Sequence, residues 1–338
     1  MSAPANAVMV PMQVQWQPGW LTWVAATTSC LRALGHDCDT VDVAGMSGYA
    51  FILSVHKELC PSGPTVFDWY TLLEGVQRLG RSTLNFASGD CHCEGHISDR
   101  TRAHCHAAYA LVAEEVAAGR PCVIWGAYVP EFAVAVGVED GAFHVVSYRR
   151  CTGEPEPPIP CEELNAPGGP YALGFPTVRE VDRARSDAWA VTRAAQIANQ
   201  PRYFRDYGYG VAAYDMWIAA LQSGQLNSFG NAYNTVCLAE GRHFAHEFLS
   251  RIAGRNVHLA EPLRPAVEAY AQASAAMHEV GQLFPFPGQG EAEDPARRAE
   301  AVEHLHVARA AEAQAAKALA AAAMALPEEG SDASGATQ

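Results

Sequence analysis

A carboxylate stands at the entrance of one of the most apolar stretches of the sequence. Glu131 directly precedes FAVAVGV, and the turn EDGA separates that run from a second one, FHVVSY. Such a pattern predicts a β-hairpin. A glutamate at the start of a buried strand is either exposed to solvent at the strand end or part of a catalytic site. In a site, burial would raise its pKa toward neutrality and let it act as a general base.

His56 and Cys60 form a second candidate pair. They lie four residues apart, where the alternating run YAFILSVHKEL meets the Pro/Gly loop CPSGPT. An imidazole beside an accessible loop thiol can generate the thiolate, so the two residues could act as base and nucleophile. Alternatively, His56 hydrogen-bonds the turn and Cys60 packs beneath it.

A dense group of cysteines and histidines, DCHCEGHISDRTRAHCH, occupies residues 90–106. Thiolate and imidazole ligands suit Zn or another borderline-soft metal such as Fe. The best set is Cys91, Cys93 and His96 with one residue from 104–106, for which we take His104. The Cys-x-Cys spacing is unusual for tetrahedral zinc, and the alternative is a thiol-rich polar loop.

Two Glu-x-x-His pairs in the second half of the chain raise a separate metal hypothesis. On a helix this spacing places both side chains on one face, and two such pairs with two further glutamates make a di-iron bundle. The residues are Glu240/His243 and Glu303/His306, with Glu268 and Glu279 as the further carboxylates. Exposed helix faces favour both residue types, so chance also explains these pairs.

The elements that must position these residues differ between the two halves. Residues 1–175 predict an α+β domain with a buried helix over 20–34, amphipathic helices over 65–82 and 98–119, and a largely antiparallel sheet. Residues 179–326 carry helical apolar patterns and end in an Ala-rich helix, 294–326. Residues 327–338 predict a disordered tail. The Ala-rich helix could pack within its domain or across a homodimer.

The composition and charge of the chain make some classes of function less plausible than others. The 338 residues carry a net charge of −14, which disfavours nucleic acid and anionic membranes as partners. The first residues have no basic region, and no apolar run reaches the roughly 18 residues of a membrane span. We therefore expect a cytoplasmic protein whose ten cysteines are thiols or ligands rather than disulfides.

Four stretches carry a resemblance to a known family: CLRALGHD, MSGYAFILSVHKELCPSGPT, GRPCVIWGAYVPEFAVAVGVEDG and GVAAYDMWIAALQS. In their order along the chain they resemble the N-terminal domain family of butirosin biosynthesis protein H, which is related to bacteriocin-processing cysteine peptidases. The resemblance covers most of residues 10–260. It implies a papain-like fold and the transfer of an acyl group from a carrier-protein thioester to an amine in specialised metabolism.

The catalytic residues that the resemblance implies are altered in this sequence. Thr22 stands where the cysteine should open the first helix, Glu131 replaces the histidine, and Ser147 lies near the orienting Asp or Asn. If the alignment were shifted, Cys30 would lie in the middle of the helix and lose the N-terminal field that lowers a thiol pKa. We therefore do not expect ordinary cysteine-peptidase chemistry.

The preferred hypothesis is acyl-transfer or amide-bond chemistry on a small molecule, with an acyl carrier protein as a possible donor. Glu131 is then the base, with Thr22, His56 and Cys60 nearby. Trp20, Trp125 and Asn231 are the candidate substrate-binding residues. The alternatives are a metal-dependent or metal-binding protein and a pseudoenzyme that binds a small molecule without turning it over.

Overall fold

The computed structural model describes residues 7–89, 97–164, 167–200 and 203–326. Its strands are β1 (Val8–Met9), β2 (Ser54–His56), β3 (Leu84–Ala87), β4 (Cys122–Trp125), β5 (Phe132–Glu139), β6 (Ala142–Val146), β7 (Ile159–Pro160), β8 (Tyr171–Gly174), β9 (Tyr203–Phe204) and β10 (Tyr207–Tyr209). Its helices are α1 (Thr22–Ala33), α2 (Thr40–Ser47), α3 (Leu73–Gln77), α4 (Asp99–Ala117), α5 (Arg149–Thr152), α6 (Arg183–Ala198), α7 (Val211–Ser223), α8 (Ser228–Arg255), α9 (Val257–Leu283) and α10 (Pro295–Met324). This mixture of elements confirms the α+β class.

The chain divides into two compact units. Residues up to 43 and residues 73–181 form the first, which we call the sheet unit, and residues 44–72 and 182 onward form the second, the helical unit. This division differs from the single boundary that we placed between residues 175 and 179. Residues 44–72 belong to the helical unit, because β2 pairs with β10 and helix α8 binds the backbone just before β2.

The sheet unit is built on one antiparallel sheet. Seven strands in the described part of the chain form it, in the order β3-β8-β4-β5-β6-β7, with β1 paired to β5. The predicted hairpin is confirmed, since Asp140 and Gly141 join β5 to β6 with positive φ angles of 46° and 82°. Two positive φ angles are typical of the type I′ turn that fits the twist of paired strands.

Helix α1 packs against β4 and β5, and all of its residues from Thr22 to Leu31 are buried. This confirms the predicted buried helix, although it begins at Thr22 rather than at residue 20. The predicted helix over 98–119 is also confirmed, with the Ser98 side chain accepting a hydrogen bond from the Thr101 N–H at its N-cap. The helix predicted over 65–82 is much shorter, because α3 ends at Gln77, before the turn at Gly80 that leads toward β3.

In the helical unit, α9 packs along both α8 and α10, and α10 also contacts α6 and α7. The core between them contains Trp217, Leu221, Met277 and Leu305. The apolar face of the Ala-rich helix is thus covered within its own unit. None of the described helices combines the length and the apolar composition that a membrane span needs.

A fully buried arginine joins residues 44–72 to the helices. Arg242 on α8 donates from Nη2 to the carbonyl oxygens of Ala50 at 2.6 Å and Ile52 at 3.0 Å. Its Nε lies 3.6 Å from Glu312 on α10, which is also buried and accepts a hydrogen bond from the Tyr214 hydroxyl at 3.3 Å. Burial raises the pKa of the Glu312 carboxyl, while the adjacent Arg242 guanidinium opposes that shift.

We expect Arg242→Met to lower the free energy of unfolding by about 3–5 kcal/mol, because it leaves a buried carboxylate without its cation. Urea denaturation of the full chain measures the change. Arg309→Met is the matched control, since Arg309 forms a partly exposed ion pair with Asp215 and its replacement should cost no more than about 1 kcal/mol. Equal losses in the two variants would contradict the role given to Arg242.

The same variant should also acquire a characteristic pH dependence. Without Arg242, the pKa of Glu312 in the folded state rises further above its ordinary value of 4.5. Above that pH the unfolded state releases a proton that the folded state retains, so stability falls as pH rises. The destabilisation by Arg242→Met should therefore be smallest at acidic pH and grow toward neutrality. Urea titrations at several pH values would detect this, and a pH-independent loss would contradict it.

Candidate functional site

Thr22 and Glu131, separate in sequence, are in direct contact in the sheet unit. The Thr22 hydroxyl donates a hydrogen bond to Glu131 Oε2 with an O···O distance of 2.5 Å. The Phe132 N–H donates to the same Thr22 Oγ1 at 3.1 Å. Because Thr22 Oγ1 accepts the hydrogen bond from Phe132, its own proton points toward the Glu131 carboxylate. Thr22 and Glu131 therefore have the relative orientation of a nucleophile and its base.

Local structure explains why the two side chains meet. Thr22 is the first residue of α1, and Glu131 immediately precedes β5, against which α1 packs. A tight turn leads into Glu131: its carbonyl accepts from the Gly126 N–H at 2.9 Å, and its own N–H donates to Val129 at 2.6 Å. Tyr128 within this turn has a positive φ of 68°. The N-terminal end of a helix also favours a neighbouring negative charge such as this carboxylate.

Aromatic side chains surround the start of β5. The Trp125 and Phe132 rings lie 4.6 Å apart, and Tyr171 meets Phe132 edge-on at 5.7 Å. Trp125 is only 9% exposed and donates from Nε1 to the Pro167 carbonyl at 2.9 Å, whereas Trp20 is 43% exposed. Trp125 is therefore held rigidly next to the site, and Trp20 lies at the surface two residues before Thr22.

Ser147 and Cys30, the other two residues that the expected resemblance brought into question, have contacts of a different kind. Ser147 is buried and donates from both N–H and Oγ to Glu156 Oε1, at 2.7 and 2.8 Å. Glu156 therefore accepts both hydrogen bonds of Ser147, which lies near the position expected to orient the base. The spacing of residues in the sequence does not indicate this contact. Cys30 is fully buried in α1, and that burial raises the pKa of its thiol well above the usual value. A thiol in this state is a poor nucleophile.

His56 and Cys60 belong to the helical unit, where a chain of hydroxyl groups lies beside the thiol. The Ser62 hydroxyl donates to Cys60 Sγ at 3.0 Å and lies 2.8 Å from the Tyr207 hydroxyl. His56 Nδ1 accepts from the Glu58 N–H at 3.1 Å, and its ring meets Tyr207 edge-on at 5.0 Å. The imidazole therefore bonds the backbone at Glu58, which precedes the CPSGPT loop, and not the loop itself. Ser62 and Tyr207 were not among the predicted residues.

Asn231 also belongs to the helical unit and lies in its core. Its side chain is completely buried, and Oδ1 accepts from the Trp217 indole N–H at 2.8 Å. This contact joins α8 to α7. The nearby Asn227 caps α8, because its side-chain oxygen accepts a hydrogen bond from the Gly230 N–H at 2.6 Å.

Of the predicted metal ligands, Cys91, Cys93 and His96 lie outside the described residues, and the zinc hypothesis for this segment stays a prediction. His104 is on α4 and meets the Phe86 ring edge-on at 6.1 Å. Within the described ranges, no three His, Cys, Asp or Glu side chains form a group that could hold a metal. The helical Glu/His pairs accordingly do not form a di-iron site, because Glu303, His306 and His243 are exposed on the helix surfaces.

Comparisons with known proteins identify no relative. No family model matches the chain, and no curated protein matches it. The function proposed below therefore depends on the geometry of the chain's own residues, above all on the contact between Thr22 and Glu131.

Replacing Thr22 tests whether this geometry is as described. We expect Thr22→Val to lower the free energy of unfolding by about 1–3 kcal/mol, since the Phe132 N–H and the Glu131 carboxylate lose their shared partner. Thr22→Ser keeps the hydroxyl and should recover most of that loss. Chemical denaturation measures both variants.

Thr28→Val is the control on the same helix. Thr28 is also buried, but among the described residues its hydroxyl donates a hydrogen bond only to the Val24 carbonyl one turn earlier, so the change should cost less than Thr22→Val. A larger loss in the Thr28 variant would contradict the contact at Thr22.

Proposed function

We propose that the sheet unit carries out acyl-transfer or amide-bond chemistry on a small molecule, with Glu131 as general base and Thr22 as the hydroxyl that it activates. The observation that supports this most is the 2.5 Å hydrogen bond from Thr22 Oγ1 to Glu131 Oε2. A hydroxyl group is a weak nucleophile unless a neighbouring base takes its proton during attack. Glu131 lies within hydrogen-bond reach of that proton.

The chemistry proceeds in two balanced steps. Thr22 Oγ1 attacks the carbonyl carbon of the acyl donor while Glu131 takes the hydroxyl proton. The bond to the leaving group breaks, and the leaving thiol or amine receives that proton, which leaves an ester on Thr22. An amine or water then attacks the ester and gives a proton to Glu131, which returns it to Thr22 as the product leaves.

The family resemblance supports the same roles. Thr22 and Glu131 occupy the positions of the nucleophile and base in papain-like domains, and they contact one another between a buried helix and an antiparallel sheet. We therefore propose a papain-like fold for the sheet unit with an altered catalytic pair. The same resemblance makes a carrier-protein thioester the proposed acyl donor and a small amine the proposed acceptor.

A pseudoenzyme is the second candidate. Thr22 is only 8% exposed, and its hydroxyl already accepts one hydrogen bond and donates another. In this case the pair holds α1 against β5, and the surrounding aromatic side chains bind a small molecule without turnover. The two proposals differ in whether the Glu131 carboxylate performs proton transfer.

Glu131→Gln separates these proposals, because glutamine can still accept the Thr22 hydrogen bond but cannot serve as the base. The probes are p-nitrophenyl acetate and the acetyl thioester of N-acetylcysteamine, each with a simple primary amine as acceptor. We expect wild-type turnover and an acetyl group on Thr22 in intact-protein and peptide mass spectra. Glu131→Gln should lower the rate by about 100-fold or more.

Glu139→Gln is the matched control, at the other end of β5. Its carboxylate bonds His144 Nε2 at 2.8 Å and has no part in the proposed chemistry, so its rate should stay within about twofold of wild type. If the wild type is inert toward both probes, the pseudoenzyme proposal is favoured. Equal rates for wild type and Glu131→Gln would overturn the assignment of Glu131 as base.

A further inference from the structure

The turn that carries Glu131 contains a bulky residue in a conformation that usually needs glycine. Residues 126–131 connect β4 to β5, and Gly126 and Tyr128 within them have positive φ angles of 90° and 68°. Glycine adopts such an angle freely, whereas the backbone of a tyrosine at positive φ is strained. Strain of this kind persists only where surrounding contacts impose it, and it is concentrated at functional sites.

Two contacts from another segment hold Tyr128 in this position. Its hydroxyl donates to the Pro157 carbonyl at 2.8 Å, and the Arg149 guanidinium lies over its ring, with Cζ 3.7 Å from the ring centroid. A cation at this distance from the face of an aromatic ring is attracted to it. Burial raises the pKa of the Tyr128 hydroxyl to about 12, and the Glu156 carboxylate adds to the shift, so the hydroxyl remains a hydrogen-bond donor at neutral pH.

The segment that supplies these contacts is bonded to itself. Arg149 donates from Nη1 to the Pro155 carbonyl at 2.8 Å, and the Ser147 N–H and hydroxyl both donate to Glu156 Oε1. The Glu156 side chain is only 6% exposed. Residues 147–157 therefore form a closed loop, which we call the support loop.

The support loop and the turn lie at the same end of the sheet. The support loop begins directly after β6, and Val146 at the end of β6 pairs with Val134 near the start of β5. Within the turn, both the N–H and the carbonyl of Glu131 form backbone hydrogen bonds. The contacts made by Tyr128 therefore influence where the Glu131 carboxylate can lie.

We propose that Tyr128, held by Arg149 and Pro157, is a positioning residue that keeps the Glu131 carboxylate within reach of the Thr22 hydroxyl. It acts through the backbone of the turn rather than through contact with a substrate. Its catalytic importance rests on the proposed function of Thr22 and Glu131. Its effect on the hydrogen bond between them applies to a pseudoenzyme as well.

A double-mutant cycle on the full chain measures this effect without any substrate. Thr22→Val is made in the wild type and in Tyr128→Leu, and urea denaturation gives the four equilibrium constants of unfolding. The factor by which Thr22→Val raises this constant should be at least about threefold smaller in the Tyr128→Leu background, because the hydrogen bond is already weakened there. Equal factors in the two backgrounds would overturn the proposal.

Tyr128→Phe and Tyr109→Leu are the matched controls. Tyr128→Phe keeps the ring beside Arg149, so Thr22→Val should have nearly its wild-type effect in this background. Tyr109 is also a partly buried tyrosine of the sheet unit, and its hydroxyl accepts from the Gly141 N–H at 3.2 Å, at the other end of β5. In Tyr109→Leu the effect of Thr22→Val should be unchanged. An equally large reduction in Tyr109→Leu would indicate a general loosening of the sheet unit and would overturn the role given to Tyr128.

Arg149→Met keeps the proposal testable if Tyr128→Leu does not fold. It leaves the Tyr128 side chain in place and removes the guanidinium over its ring. The effect of Thr22→Val should then be at least about twofold smaller than in wild type. An unchanged effect would overturn the proposal.

Turnover of the acetyl thioester separates this inference from the proposed function. Tyr128→Leu should lower kcat at least about tenfold and leave KM within about threefold, because a displaced base slows proton transfer without removing contacts to the substrate. Tyr128→Phe should recover most of the rate. A wild-type kcat in Tyr128→Leu would overturn the positioning role in catalysis. An inert wild type would contradict the proposed function alone, since the unfolding measurements need no turnover.

Discussion

The helical unit depends on one buried guanidinium. Arg242 is completely removed from solvent, yet it holds two backbone carbonyl oxygens of residues 50–52 and faces the carboxylate of Glu312. A buried charge of this kind is tolerated only where hydrogen bonds and a counter-ion replace water. Its position therefore determines where the segment before β2 can lie.

A similar constraint operates on a smaller scale in the sheet unit. The Thr22 hydroxyl joins the first residue of α1 to Glu131 and to the first residue of β5. One side chain thus fixes the relative position of the helix and the strand and also orients a proton toward a carboxylate. A structural contact and a catalytic pair can have the same geometry, so only the removal of the base, with the hydrogen bond retained, distinguishes them.

Local patterns in the sequence are sufficient to predict most of the helices and strands. The hairpin was readable because the turn EDGA needs positive φ angles and the flanking runs alternate. The pairing of Thr22 with Glu131 was anticipated only through the family resemblance, since 109 residues separate them. β1, β3 and β7, of two to four residues each, were too short to show a period.

Other features left no local signal at all. Arg242 and Ala50 are separated by 192 residues, and Ser62 and Tyr207 by 145, so spacing cannot reveal either contact. Spacing likewise gives no sign that residues 44–72 group with the helices, because the partner strand of β2, β10, lies in the second half of the chain.

The position of residues 44–72 between two segments of the sheet unit affects the order in which the two units can fold during synthesis. All residues of the sheet unit lie before position 182, so this unit can close while the ribosome is still adding the helices, with residues 44–72 looped out. Phe51, Leu53, Val55 and Leu59 then stay exposed to water until α7 and α8, which pack against this segment, have been synthesised. During synthesis this loop therefore exposes apolar side chains at a stage when the sheet unit can already have folded.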